Sequence, residues 1–327
     1  MDPQVEYVSR IDFTELREGV EKVKSEIGKV IVGQQQVIEM MIAAILANGH
    51  VLLEGVPGVA KTLMANLLAR TIKADFTRIQ FTPDLMPSDV IGTAVFHPEK
   101  AQFEFRKGPV FSNIILIDEI NRSPAKTQAA LFEVMEEHQI SYDGVTYKMR
   151  EPFFVIATQN PIEQEGTYRL PEAQLDRFLF KLMVNYPTLQ EEVEIINGHH
   201  TRTADTKPVD LIEGVLDGEK IANFRRKIKE VHVEPKLIDY IANLITQTRN
   251  AKSIFLGASP RASVAVLNTS KALAAMRGRD FITPEDIREV LPNILRHRLI
   301  LTPEKEMEGA STDDIIKLLM QKVEVPR

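Results

Sequence analysis

The chain has 327 residues, a net charge of −6, 44% hydrophobic and 6% aromatic residues, and neither cysteine nor tryptophan. These values exclude disulfides, thiolate metal sites and cysteine nucleophiles, and they argue against a base-stacking platform or a globally basic nucleic-acid face. No apolar run reaches the roughly 20 residues that cross a bilayer, and the first residues lack a charged-then-apolar leader pattern, so a soluble cytoplasmic protein of about two domains is expected.

Residues 12–31 place Leu16, Val20, Val23, Ile27 and Val30 at spacings of three and four, which predicts an amphipathic helix. Gly33 breaks it, and a strongly apolar helix then runs to Asn48-Gly49, a reasonable stop. HVLLEG (50–55) reads as a buried strand leading through GVPGVAKT into the helical LMANLLARTI. Further strands are expected at 76–81, 113–118 and 153–158, the last two apolar enough for the middle of a parallel sheet covered on both faces. Helical stretches separate them, and HQISYDGVTYKMREP carries a hairpin signal at Asp143-Gly144. From 187 the patterns are almost only helical, with capping signals at Thr283 and Thr312. The expected division is an α/β core over 1–186 and a linker with an all-helical domain over 187–327.

Three segments carry chemistry. Strand, glycine-rich loop and helix is the context a phosphate-binding loop needs, with backbone N–H groups of 56–62 around the phosphates, Lys61 on their charge and Thr62 on magnesium. The generic loop has glycine before the lysine, whereas this chain has Ala60. We expect Ala60 to have entered the helix already, where alanine is the best former. IILIDEIN places Asp118 and Glu119 at the carboxyl edge of a buried strand, suiting a magnesium ligand and a base for the attacking water. Asn160 in ATQNP ends another apolar strand where it can hold that water or touch the γ-phosphate. Each piece has a plainer reading: a loop corner, a solvated strand end, a turn before proline. Arg177 in LDRF and Arg261 in SPRA matter through the combination rather than singly.

In that order, GVPGVAKT, LIDEINR, ATQNP, LPEAQLDRF and SPRA resemble the MoxR family of AAA+ ATPases, in which the residue before the lysine is typically alanine. The resemblance covers nearly the whole chain. It implies a three-layer α/β/α core with a mainly parallel sheet, followed by a small helical lid. It assigns the loop residues Gly55, Val56, Pro57, Gly58, Val59, Ala60, Lys61, Thr62 and Leu63 to ATP, Thr62 and Asp118 to magnesium, and Glu119 to catalysis. Asn160 resembles the first sensor, Arg261 the lid arginine, and Arg177 the finger that completes a neighbour's site, with Arg169 the rival; Val32 and Gly33 match the segment beside the adenine. Residues 81–92 and the hairpin at 143–144 resemble inserts that face a pore or a client. A finger supplied by a neighbour implies a ring, expected to be a hexamer. Family members act on client complexes with von Willebrand factor A-domain partners. A nucleic-acid motor and a nucleotide-regulated scaffold are the alternatives. The first lacks basic inserts, and the presence of Glu119 disfavours the second.

Overall fold

The computed structural model describes residues 11–99, 101–160, 168, 170–201 and 207–326. It divides into two compact units, Lys22–Ala222 and Met1–Glu21 with Asn223–Arg327. The first helices are α1 (Thr14–Gly28) and α2 (Gln35–Leu46). Leu16, Val20, Val23 and Ile27 are all buried, as their spacing requires. Asn48, at φ 56°, ends the second helix in the left-handed region that asparagine tolerates.

The α/β weave follows as β1 (Val51–Gly55), α3 (Lys61–Thr71), β2 (Phe76–Gln80), α4 (Pro87–Ile91), β3 (Gly92–His97), β4 (Gln102–Lys107) and β5 (Ile114–Asp118). It continues with α5 (Ala125–Glu137), β6 (Gln139–Tyr142), β7 (Val145–Lys148), β8 (Phe154–Gln159), α6 (Glu172–Leu175), β9 (Phe180–Val184) and α7 (Leu189–Thr201). The main sheet has the order β2-β5-β8-β1-β9, and every neighbouring pair is parallel. Its interior strand β5 is buried along its whole length, which explains the unbroken apolar run. On one face Leu52, Ile79, Ile115, Ile117 and Val155 pack with Leu131, Phe132 and Met135 of α5. Helix α3 lies against β2 and β5.

Two antiparallel hairpins interrupt the weave. The β6–β7 turn has Asp143 and Gly144 at φ 48° and 76°, the paired left-handed residues its Asp-Gly predicts. The β3–β4 hairpin begins at Gly92, the last residue of the stretch expected to form an insert, and its strands were not foreseen. The two share an aromatic cluster: the Phe105 ring sits 4.8 Å from both Tyr142 and Tyr147, and the Lys107 ammonium lies 5.1 Å from the Phe111 ring.

The described residues among 187–222 fall within the Lys22–Ala222 unit. Their segment after α7 hydrogen bonds back onto it, with Val215 N–H and Leu216 N–H donating to Thr71 O at 2.7 and 3.0 Å. The remaining elements are α8 (Gly218–Lys229), α9 (Pro235–Asn250), β10 (Ile254–Leu256), α10 (Pro260–Met276), α11 (Pro284–Leu295), β11 (Ile300–Leu301), α12 (Pro303–Met307) and α13 (Thr312–Lys322). This region is not all helical, because β10 and β11 pair antiparallel. Thr283 and Asp286 form the expected capping box of α11; for α13 the cap is Ser311 with Asp314, one residue before the expected Thr312.

Candidate functional site

Strands β1, β5 and β8 all finish at one edge of the sheet, and the loop from Gly55 to Ala60 turns there into α3. Each glycine of the loop has its own reason. A Cβ on Gly55 would stand 2.5 Å from Val184 O of β9, so close strand packing excludes a side chain. Gly58 has open space around it but φ +86°, which glycine adopts without strain. Lys61 folds back over the loop, its ammonium donating to Gly55 O at 2.5 Å. Thr62 occupies the first turn of α3, where unpaired N–H groups and the helix dipole favour an anion.

Ala60 corrects the expectation made for it. It precedes the helix as its N-cap residue with φ 59° and ψ 23°, in the left-handed region. Alanine costs about 1–2 kcal/mol there, so glycine in the generic loop serves backbone geometry, and Ala60 carries a strain that its surroundings impose.

A cleft of about 630 Å³ opens beside the loop. Val30, Ile31 and Val32 form one apolar wall, Leu63 and Ile195 contribute to it, and Pro57, Gly58, Val59 and Ala60 bring the loop to its rim. Gly33 is not in the lining; it has φ +70°, and a Cβ there would stand 2.4 Å from Glu191 Oε1. Glu191 is itself fixed by the N–H and hydroxyl of Thr188, at 2.7 and 2.9 Å, which hold its carboxyl below the usual range. Lys29, Gln34, Glu192, Glu194 and His199 also line the cleft, so an apolar wall for a flat base meets a phosphate-type loop within a mixed surround.

The acidic pair lies across from the loop. Asp118 is buried at the end of β5, its Oδ1 accepting from the Thr158 hydroxyl at 3.2 Å and its Oδ2 from Arg78 Nε at 2.5 Å. Glu119 leaves the strand in a left-handed conformation, φ 57°, and its N–H donates to Thr158 Oγ1 at 3.0 Å. Its carboxylate is held by Gln80 Nε2 at 2.8 Å and Arg122 Nε at 3.1 Å. Asn160 is buried just beyond the end of β8, the strand between β5 and β1. The oxygen donors Thr62 and Asp118 fit magnesium, a hard cation that takes one or two protein oxygens together with phosphates.

The two arginines lie one in each compact unit. Arg177 follows α6 and pairs with Glu136 of α5, its Nη1 also donating to Phe132 O at 3.3 Å. Arg261 is exposed in the first turn of α10, within the other compact unit. Arg169 lies outside the described residues. Arg78, Gln80, Arg122 and Thr158 were missed from sequence. Thr158 was legible as part of ATQNP, whereas nothing in FTRIQF marked Arg78 or Gln80, whose roles depend on strand register.

Among the described residues, no helix is long and apolar enough to cross a membrane. Residues 50–180 match the model of the ATPase family associated with various cellular activities, and residues 246–319 match the AAA lid domain. Chaperone MoxR1 of Mycobacterium tuberculosis is 44% identical over 94% of this chain and 82% of its own. Protein MoxR of Methylorubrum extorquens is 30% identical over 96% of this chain and 97% of its own. A solved structure from Cytophaga hutchinsonii superposes with a TM-score of 0.88 at 44% identity, covering 96% of this chain and 97% of that one. With the ATPase and lid models matched in this order and with relatives at this identity over nearly the whole chain, the chain belongs to the MoxR family of AAA+ ATPases.

Proposed function

We propose that this protein binds ATP in the cleft beside the Gly55–Ala60 loop, hydrolyses it to ADP and phosphate, and uses the turnover to remodel or assemble client protein complexes. The observation that carries the reading is Glu119: a partly exposed carboxylate fixed at the sheet edge, one residue past the buried Asp118 and across from the loop. Lys61 and the N-terminus of α3 neutralise the phosphates. Glu119 accepts a proton from the attacking water, and Asn160 orients that water against the γ-phosphate. Magnesium held by Thr62 and Asp118 would offset the charge that develops on the phosphate oxygens.

Arg261 and Arg177 supply the remaining positive charge, Arg177 to a neighbouring subunit after leaving Glu136. The assembly is a ring, with six subunits the expected number. The chaperone role is supported by the relative named Chaperone MoxR1. A von Willebrand factor A-domain protein is the expected partner, and the location is cytoplasmic. Phosphate release tests the core of the reading. Glu119→Gln should keep ATP binding and lose at least about a hundredfold in turnover, and Lys61→Ala should lose binding; wild-type turnover in Glu119→Gln removes Glu119 from catalysis. Arg177→Ala subunits mixed with Lys61→Ala subunits should regain part of the activity that neither has alone, and no recovery sinks the neighbour role.

A further inference from the structure

Arg78 has no part in the scheme above, yet it makes the shortest contact of the acidic pair. It projects from β2, the edge strand, whose register sets Arg78 beside Leu116 and Gln80 beside Asp118. Its Nε meets Asp118 Oδ2 at 2.5 Å, while its Nη2 donates to Gln80 Oε1 at 3.5 Å. The Asp118 side chain is 10% exposed and that of Arg78 53%. A carboxylate this buried is costly to leave unpaired, and Thr158 satisfies only its other oxygen. The guanidinium therefore supplies a positive charge to the atom that a divalent cation's shell would use. Its exposed stem can swing into water at little cost.

We propose that Arg78 is a positioning residue that stands in for the divalent cation on Asp118 and yields that carboxylate when magnesium and nucleotide enter together. This rests on the nucleotide reading of the cleft. The arrangement makes metal binding an exchange of one cation for another, so the empty site keeps its carboxylate neutralised. It also ties the metal to β2, because Gln80, two residues along, holds Glu119. Arg78 thereby opposes the metal: removing it makes magnesium easier to bind.

The test is equilibrium binding of a fluorescent mant-ADP probe to the full chain at increasing magnesium concentration. Arg78→Met should lower the magnesium concentration at half-maximal binding about three- to tenfold. Arg78→Lys, which keeps the charge, should return it toward wild type. In an Asp118→Asn background, Arg78→Met should no longer move the midpoint. An equal midpoint in wild type and Arg78→Met overturns the inference. Weaker probe binding at every magnesium concentration also overturns it, by making Arg78 a nucleotide ligand. A wild-type chain that fails to bind mant-ADP at any magnesium concentration overturns the nucleotide reading and this inference with it, so the two failures are distinct. Should Arg78→Met not fold, Arg78→Gln takes its place with the same expected shift.

Discussion

Thr158 ties the end of β8 to Asp118, its hydroxyl donating to Asp118 Oδ1 at 3.2 Å while Thr158 Oγ1 accepts the Glu119 N–H at 3.0 Å. One buried hydroxyl thus fixes the side chain of one acid and the left-handed backbone of the next. Thr158→Val keeps the volume and removes both bonds. We expect turnover to fall roughly tenfold or more, with ATP affinity changing less. Thr158→Ser should recover most of the loss, and a valine variant with unchanged turnover would detach Thr158 from the site.

Ala60 predicts a graded series at one position. Ala60→Gly relieves the left-handed strain but loosens the unfolded chain, so stability should stay within about 1 kcal/mol of wild type and nucleotide binding should persist. Ala60→Val puts a β-branched residue at φ 59°, where such residues are outliers. It should melt earlier and bind nucleotide at least about tenfold more weakly, since 1.4 kcal/mol is a factor of ten. Melting curves and titrations of both variants decide it; equal behaviour of glycine and valine contradicts the geometry.

Acid should weaken the α/β unit through Glu26. The Glu213 N–H donates to its Oε2 at 3.0 Å and the Lys29 ammonium lies at 2.7 Å, holding this buried carboxyl below its ordinary value of 4.5. The folded value lies below the unfolded one, so the stabilisation is present above about pH 4.5 and is lost as pH falls through the lowered value. Glu26→Gln lacks this dependence. The gap between wild-type and variant melting temperatures should therefore be widest near neutrality and close in acid, and a constant gap from pH 7 to 3 would refute the assignment.

Asp286 should dominate the stability of its helical region. It is fully buried, accepts from Arg279 at 2.7 and 2.9 Å, and takes the Thr283 N–H at 2.8 Å. Asp286→Ala removes the cap of α11 and a charge-assisted pair together, at about 3 kcal/mol. Urea denaturation measures it, and a loss below 1 kcal/mol would place the anchor elsewhere.

What was legible in the sequence followed local rules. Burial on both faces makes an unbroken apolar run, so β5 and β8 were visible, and Asp-Gly set the β6–β7 turn by φ alone. Asp118 and Glu119 were found because a strand's end is marked by the residues before it. The β3–β4 hairpin hid because its strands are mostly exposed and only β4 alternates, over a stretch too short to stand out without a partner. Arg78 and Gln80 hid because their partners lie about 40 residues away and are chosen by register. Ala60 was misjudged because the loop's backbone, not the helix's, decides its conformation.

The aromatic cluster shared by the two hairpins has a mechanical consequence. One hairpin follows β2, which carries Gln80, and the other precedes β8, which carries Thr158. Rings 4.8 Å apart weld them into a single ledge, with Phe96 and Phe103 exposed along the first hairpin. The ledge therefore joins the segments that leave β2 and lead into β8, the two strands whose Gln80 and Thr158 hold the acidic pair.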